Sequence, residues 1–502
     1  MRWGEMTRVC AALLAGWSAA TARAEPPEQV CPTPPEVARA QDERGWWDLV
    51  TREVPPLHHP LQGRWPMIAW HGPGTEPLTP AQVRLLLDRG LTQYLPLDAR
   101  AIPAARALQE AGSPVIVMEG RSGNWPYSLA ADSSRWAMRF EPGWTHDMAG
   151  VGPLGSWHSA VPVFTEGWSV MADEVRATLR AFRDAGVQVD GVWTDYESDP
   201  YPFAPLFEQM RHCTVCRRLL PAEVLRERTA WFTWCWRQYT QLWGAYLAAP
   251  VLEVFPECAV TNWHIVYSSH TDTVFYFVDN RFIPPVIPAH FTASNPVAYA
   301  NDRWFQYAWK EEYPLDRRHV DQLYMHNLLR QVSADAANRR RYAPRARAFP
   351  WVARWCSMVP DSTHTIPDIS RPAYREALRH LWLRGVDGLQ LFNPRAKGYE
   401  AVWLEEIQDA VAVYDEVLAH AELLDGEVLN LAIPGVQHDG AFWSGRRLGS
   451  RALVRLTNQG GREDSCVVEA WPGRPVTLRL PPDRGRTFLL EQADGEIRVL
   501  PQ

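Results

Sequence analysis

The chain alternates between two hydrophobic periods, and that alternation limits the folds open to it more than any other feature. Apolar runs of strand length occur at Met67–Trp70, Thr92–Leu97, Val115–Met118, Val187–Trp193, Ala259–Trp263, Phe291–Tyr299, Ala348–Val352 and Gly388–Phe392. Between them lie segments with apolar residues at helical spacing, among them Pro80–Arg89, Ser169–Ala185, Ala222–Ala249, Arg317–Arg340 and Pro372–Arg384. Ala401–Leu424 closes the series as the eighth helix. A helix between successive strands returns the chain to the same end of the sheet, so the strands pair in parallel. Eight such units predict an α/β fold, a closed (β/α)8 TIM barrel rather than an open doubly wound sheet.

The helical period stops at Asp425-Gly426. Val428–Ile433, Ala452–Thr457, Cys466–Ala470, Val476–Leu480, Thr487–Gln492 and Ile497–Leu500 are short strand-like runs separated by Gly, Pro, Asn and Asp turns. They predict a small antiparallel β-sandwich that supports the barrel, with carbohydrate binding as its other reading. The chain then divides into a leader at 1–24, an extension at 25–62, the barrel at 63–425 and the sandwich at 426–502. The extension is rich in Pro and charge, with Trp46 and Trp47 as anchors against the outside of the barrel. The longest insertion, Gly123–Gly167, follows the third strand and holds Trp125, Tyr127, Trp136, Trp144 and Trp157. A long aromatic loop on the C-terminal face of a barrel is placed to wall a cleft.

Arg2 and Arg8 precede an apolar run from Val9 to Ala20, and Ala22-Arg23-Ala24 has the form of a signal-peptidase site. Cleavage after Ala24 and export, periplasmic or extracellular, are expected. Cys10 lies inside the apolar run, which argues against a lipoprotein anchor, and no other stretch is long and apolar enough to span a bilayer. Fifty-one Lys and Arg against 58 Asp and Glu give a net charge of -7, so neither nucleic acid nor an anionic membrane is an expected partner. Seven cysteines remain after cleavage: Cys31, Cys213, Cys216, Cys235, Cys258, Cys356 and Cys466. An oxidising compartment permits disulfides, and the odd number leaves one thiol over. His212-Cys213-Thr214-Val215-Cys216 holds the one closely spaced pair, and without a second pair at finger spacing it favours a disulfide or local clamp over metal or redox chemistry. No G-x-S-x-G elbow occurs, and neither a cofactor nor a metal is expected.

In a barrel the chemistry collects where strands end. The fourth run continues as Asp190-Gly191-Val192-Trp193-Thr194-Asp195-Tyr196-Glu197-Ser198-Asp199-Pro200. Side chains on a strand alternate, so Trp193, Asp195 and Glu197 share one face. Two carboxylates about 6.5 to 7 Å apart at their Cα atoms perturb each other's proton affinity, and one can serve as a general acid while the other stays ionised. The plainer reading is a solvated acidic turn. Asp98, Glu119 and Asp302 are further acids near strand ends, each isolated and read as structural. The chain carries 25 Trp, whose indoles stack on sugar rings; filling a large core is the competing use of each.

The segment Asp190 to Glu197 resembles the chitinase-family signature DGxDxDxE, with Trp193 in place of its first central Asp. It is also similar to the Asp-x-Glu pair of the hyaluronidase family. Trp70-His71-Gly72-Pro73, Phe255-Pro256-Glu257-Cys258, Pro296-Val297-Ala298-Tyr299 and Val352-Ala353-Arg354 resemble hyaluronidase segments in the order that family has them, over about residues 64–394. Gly388-Leu389-Gln390-Leu391-Phe392 stands where that family's last strand usually ends in Trp. The resemblance implies hydrolysis of an N-acetylhexosamine-containing polysaccharide or oligosaccharide. Glu197 is then the acid, the substrate's acetamido oxygen the nucleophile, and Asp195 the group that stabilises the oxazolinium. It further implies Tyr299 as a donor to the acetamido group and Trp70, Trp193, Trp263 and Trp355 as walls of the sugar subsites.

Two other readings stay open. Gly191-Val192-Trp193-Thr194-Asp195-Tyr196-Glu197 also resembles the Trp-x-Asp-Met-Asn-Glu nucleophile segment of the retaining α-glucosidase family. That resemblance makes Asp195 a covalent nucleophile, with an acid such as Asp302 from the sixth strand region. The third reading is a non-catalytic carbohydrate-binding barrel.

Overall fold

The computed structural model describes residues 43–69, 78–119, 139–142, 165–194, 204–227, 241–262, 290–299, 316–354, 369–392, 400–435 and 438–502, together with 131, 230, 231, 234 and 238. The expected leader and most of the 123–167 insertion lie outside the described residues.

Strands occur at all eight expected positions, three of them in two pieces. β1 is Met67–Ala69; the second position holds β2 (Leu91–Thr92) and β3 (Leu95–Pro96); β4 is Ile116–Glu119, β5 Gly191–Thr194 and β6 Ala259–Asn262. The sixth position holds β7 (Ala293–Ser294) and β8 (Val297–Tyr299), the seventh β9 (Arg347–Ala348) and β10 (Trp351–Ala353), and the eighth β11 (Gln390–Leu391). Pro296 and Pro350 stand at two of the breaks, where the ring removes the amide hydrogen a ladder needs.

Every pairing among these strands is parallel. β1 pairs with β2 on one side and with β11 on the other, β11 continues to β10 and β8, β7 pairs with β9, and β3, β4, β5 and β6 follow in order. A first strand bonded to both the second and the last bends the sheet back on itself. The ladder breaks between β6 and β7, so the continuous closed ring expected from the sequence is not formed by backbone bonds. Thr292 bridges that gap with one side chain: its hydroxyl donates to the Cys258 carbonyl at 2.6 Å and accepts from the Val260 amide at 2.8 Å.

Ten α-helices flank the strands: α1 (Glu43–Glu53), α2 (Pro80–Leu87), α3 (Ile102–Ala111), α4 (Glu166–Asp184), α5 (Ala204–His212), α6 (Thr214–Leu219), α7 (Ala249–Val254), α8 (Arg317–Tyr342), α9 (Arg371–Trp382) and α10 (Glu400–Leu418), counted among the described residues. Their starts follow from the sequence. Thr79 and Gln82 form a capping box ahead of Pro80, and Asp316 and Ser370 cap α8 and α9. The single helix expected over 222–249 differs: residues 222–226 turn, and Gly244–Ala248 is π-helical where it runs into α7. Pro250 explains the wider turn, since it has no amide hydrogen for an α-helical bond. In α1, Trp46 and Trp47 are fully buried, which ties this part of the extension to the main core.

Side-chain parity separates two cores. Val117, Val192, Val260, Val352 and Leu391 face outward and pack with helix residues such as Trp168, Leu179, Leu378 and Ile407. Ile68, Ile116, Met118, Trp193, Phe349 and Trp351 belong to a second cluster inside the strand ring. Two Val-Asp-Gly segments, at 189–191 and 386–388, build its floor in the same way. The Asp190 carboxylate accepts from the Val115 amide at 2.8 Å, and Asp387 accepts from Ala348 at 2.7 Å. In each case the amides of the Asp and the Gly both donate to the carbonyl of that same neighbour. Each Gly leaves room for an aromatic ring: a Cβ at Gly191 would lie 1.7 Å from the Trp193 ring, and one at Gly388 would lie 2.9 Å from Phe349.

The C-terminal unit is antiparallel. β12 (Glu427–Val428), β13 (Ala441–Leu448), β14 (Arg451–Asn458), β17 (Arg484–Ala493) and β18 (Glu496–Pro501) form one sheet in that order, and β15 (Asp464–Trp471) with β16 (Arg474–Leu480) forms a hairpin packed over it. Val454, Leu456, Val468, Leu478 and Leu490 fill the space between. β13 is absent from the sequence expectation because it carries Ser444 and Arg446 at buried positions. Ser444 meets α9 and the turn after it, and Arg446 donates to the Leu424 and Val386 carbonyls. His380 hydrogen-bonds Ser444 through Nδ1 at 2.8 Å and Thr457 through Nε2 at 2.7 Å, and Arg384 donates to Ser444 at 2.8 Å. Glu376 takes both arms of Arg455, at 2.7 and 2.5 Å. Burial pulls His380 down to about 3, so it sits in this interface as a neutral ring.

Gly191→Ala tests the floor. Overpacking a filled interior costs about 1–3 kcal/mol, so its thermal midpoint by circular dichroism falls well below that of the parent. Gly388→Ala, with the looser contact, falls less; an unchanged midpoint for Gly191→Ala would mean that the Trp193 ring is not confined.

Candidate active site

The C-terminal ends of parallel strands gather the loops that carry chemistry. At the end of β5 the Thr194 hydroxyl donates to Asn262 Oδ1 at 2.5 Å, across to the end of β6. Both residues are buried. The bond pins the two strand ends together at the residue that precedes Asp195 in the sequence.

Trp193, one residue earlier, faces the interior. Its ring lies 5.3 Å from that of Phe349 at 65° and 6.5 Å from that of Trp65 at 58°, and only 1% of the residue is exposed. The expected role of Trp193 as a wall of a sugar subsite is therefore corrected. The ring folds back over Gly191 into the floor, where no face of it is open to a ligand. Core filling is the commoner use of tryptophan among the described residues: Trp46, Trp47, Trp168, Trp231, Trp243, Trp351, Trp382 and Trp403 are likewise fully buried.

Tyr299 is half-buried at the end of β8 and stacks on Phe392, with ring centroids 4.9 Å apart and planes 22° apart. Phe392 in turn meets the edge of Trp351 at 6.1 Å and 85°. The sixth and eighth strand positions thus end in one aromatic shelf. Phe392 is the functional candidate that residue-by-residue reading missed; its signal was its place at the end of the last strand.

Asp195, Glu197, Trp70, Trp263, Trp355 and Asp302 lie outside the described residues. Of the other acids, Asp98 caps a short turn, accepting from the Arg100 amide at 2.8 Å and pairing with its guanidinium at 2.6 Å. Glu119 is buried at the end of β4. No group of three or more His, Cys, Asp or Glu able to hold a metal ion occurs among the described residues.

Arg354 follows β10 and is buried outside the strand ring. Its guanidinium donates to Glu405 at 2.6 Å and to the Ile369 carbonyl at 3.2 Å, and its amide donates to Glu406 Oε1 at 2.9 Å. The Tyr374 hydroxyl donates to the same oxygen at 3.0 Å. Arg354 therefore braces the end of the seventh strand position against α9 and α10. Burial pushes Glu406 up to about 8, against the hydrogen bonds that favour its charged form.

No protein-family model matches the chain, and no curated protein matches it. Among solved structures, Eubacterium rectale Amy13B is 8% identical with a TM-score of 0.43, covering 89% of this chain and 99% of that one. A cyclic alpha-maltosyl-(1-->6)-maltose hydrolase from Arthrobacter globiformis, in complex with cyclic alpha-maltosyl-(1-->6)-maltose, is 10% identical with a TM-score of 0.41 over 84% and 96% of the two chains. An Anoxybacillus alpha-amylase is 11% identical with a TM-score of 0.41 over 78% and 79%. At such identities and scores the similarity decides neither substrate nor mechanism.

Two braces near the strand ends can be tested directly. Thr194→Val keeps the shape and removes this donor to the Asn262 oxygen, a loss of about 1 kcal/mol in urea unfolding; Thr194→Ser restores most of it. Glu406 gives a pH signature. The folded state holds its proton up to about 8, whereas the unfolded chain releases it in the ordinary glutamate range. Its contribution is complete at low pH and is lost as pH rises through that window. The thermal midpoint of the parent falls from about pH 5 to about pH 9 by this linkage, and Glu406→Gln flattens the fall; parallel curves would remove Glu406 as the cause.

Proposed function

We propose that this protein is an exported glycoside hydrolase that cleaves an α-glycoside, with Asp195 as nucleophile beyond the end of β5 and a (β/α)8 barrel as its scaffold. In this reading Asp195 attacks the anomeric carbon while an acid such as Asp302 protonates the departing glycosidic oxygen. Water, activated by the same acid in its ionised form, then releases the sugar with its anomeric configuration retained.

The observation that carries the reading is the packing of Trp193. The chitinase signature asks for a carboxylate at this place, and the residue there is an indole sealed between Gly191, Phe349 and Trp65. In the Trp-x-Asp segment that the same residues resemble, an aromatic residue two before the nucleophile belongs to the pattern. By the sequence period of a strand, Asp195 and Glu197 have the parity of the inward-facing Trp193, which supports reading them as interior carboxylates.

A second reading is favoured by Tyr299, half-buried at a strand end. There the substrate carries an N-acetylhexosamine, Glu197 is the acid, Asp195 orients the acetamido group and Tyr299 hydrogen-bonds it.

Reducing-end release from N-acetyl-free α-glucans, hyaluronan, chitin oligomers and peptidoglycan fragments separates the two. The α-glycoside reading expects turnover of α-glucans, retained configuration by NMR, and a loss of at least about 10³-fold in kcat for Asp195→Asn, the scale of removing a group central to the transition state. Cleavage confined to N-acetylated substrates and lost in Glu197→Gln would transfer the assignment to the second reading. Binding without turnover on any glycan would leave a carbohydrate-binding barrel.

A further inference from the structure

The Cys213-x-x-Cys216 segment is the one chemistry-bearing motif that the proposed hydrolysis does not use. Cys213 sits between α5 and α6, and both cysteines are fully buried thiols. Cys213 Sγ accepts from the Cys216 amide at 3.4 Å and from the Arg139 amide at 3.5 Å, and the Cys216 thiol is hydrogen-bonded to the same sulfur. The two cysteines thus lie beside each other, Cys213 as the cap of α6 and Cys216 in its first turn.

A short strap covers the pair. Phe140 forms an antiparallel bridge with Cys213, the Thr214 amide and hydroxyl donate to the Arg139 carbonyl at 2.7 and 3.0 Å, and Glu141 pairs with Arg217 at 2.5 Å. Residues 139–142 belong to the long insertion, so the sulfur of Cys213 is one of the points that hold this insertion to the body of the protein.

We propose that Cys213 and Cys216 form a thiol–disulfide pair, with Cys213 as the attacking sulfur, whose oxidation state sets how firmly residues 139–142 are held. The oxidant is a small-molecule or protein disulfide. Cys213 thiolate attacks one sulfur of that disulfide and expels the other half as a thiolate. Cys216 then loses its proton and attacks the Cys213 sulfur, expelling the second half. One S–S bond is made and one is broken, and the two electrons leave on the two expelled thiolates. In the disulfide the Cys213 sulfur is a poorer acceptor, and the Arg139 amide loses its partner.

The other described cysteines lack this chemistry. Burial pushes Cys258 well above the ordinary thiol range and Cys466 up to about 11, whereas the Cys216 thiol and the backbone amides pull Cys213 down to about 5. The thiolate is the nucleophile in exchange, which makes Cys213 the attacking member of the pair.

The test uses the full chain in a series of reduced-to-oxidised glutathione ratios, quenched with acid, alkylated and read by peptide mass. The proposal expects the peptide holding both cysteines to lose two hydrogens and both alkylation sites, reversibly with a dithiol reductant, and hydrogen exchange at 139–142 to quicken in the oxidised form. Cys216→Ser expects a mixed disulfide with glutathione trapped on Cys213, and Cys213→Ser expects Cys216 to stay unmodified. Full alkylation of both sulfurs at the oxidising end, pairing of either with another cysteine, or zinc retained in stoichiometric amount would overturn the proposal. The wild-type series alone decides if neither variant folds.

Discussion

The interior of the strand ring has to be filled before anything can be built at its mouth, and the closure of Trp193 over Gly191 does much of that filling. A glycine is needed because the ring lies where any side chain on residue 191 would begin. Phe349 repeats the device over Gly388 on the far side. The two rings meet at 5.3 Å, an edge-on aromatic contact of the kind that adds about 0.5–1.5 kcal/mol beyond area burial. With the floor fixed in this way, the strand ends above it are free to carry polar groups.

Those strand ends are held by bonds that point away from the interior. Thr194 reaches Asn262, and Arg354 is locked to Glu405 and Glu406. Such braces cost no room inside the ring, and they fix where the chain leaves each strand. In the proposed glycoside hydrolase that precision is what catalysis needs, since small displacements of a nucleophile or an acid weaken the transition-state contacts. The aromatic shelf of Tyr299 and Phe392 supplies a flat apolar surface beside the same mouth.

Much of the architecture was legible because it rests on period. All eight strand positions and most helices follow from alternating runs, and the caps at Thr79 and Ser370 were written in residue type. What was hidden depends on partners far away in the chain. β13 reads as polar because Ser444 and Arg446 satisfy His380, Arg384 and the Val386 carbonyl, not an apolar core. Glu406 is buried because the Arg354 amide and the Tyr374 hydroxyl, both distant in sequence, donate to it. Trp193 was misread for the opposite reason: an indole at a strand end suggests a sugar platform, and only the empty place at Gly191 reveals which way the ring turns.

The contact between α9 and the C-terminal sheet has a consequence for how this protein can be taken apart. Here the meeting face holds a neutral histidine, a buried guanidinium at Arg384 and a carboxylate gripped by Arg455. Removing one partner of a buried pair costs about 3–5 kcal/mol, because the other stays behind without company. The two units therefore behave as a single inheritance: a recombination that carries α9 into a new chain without β13 and β14 carries an unpaid electrostatic debt with it.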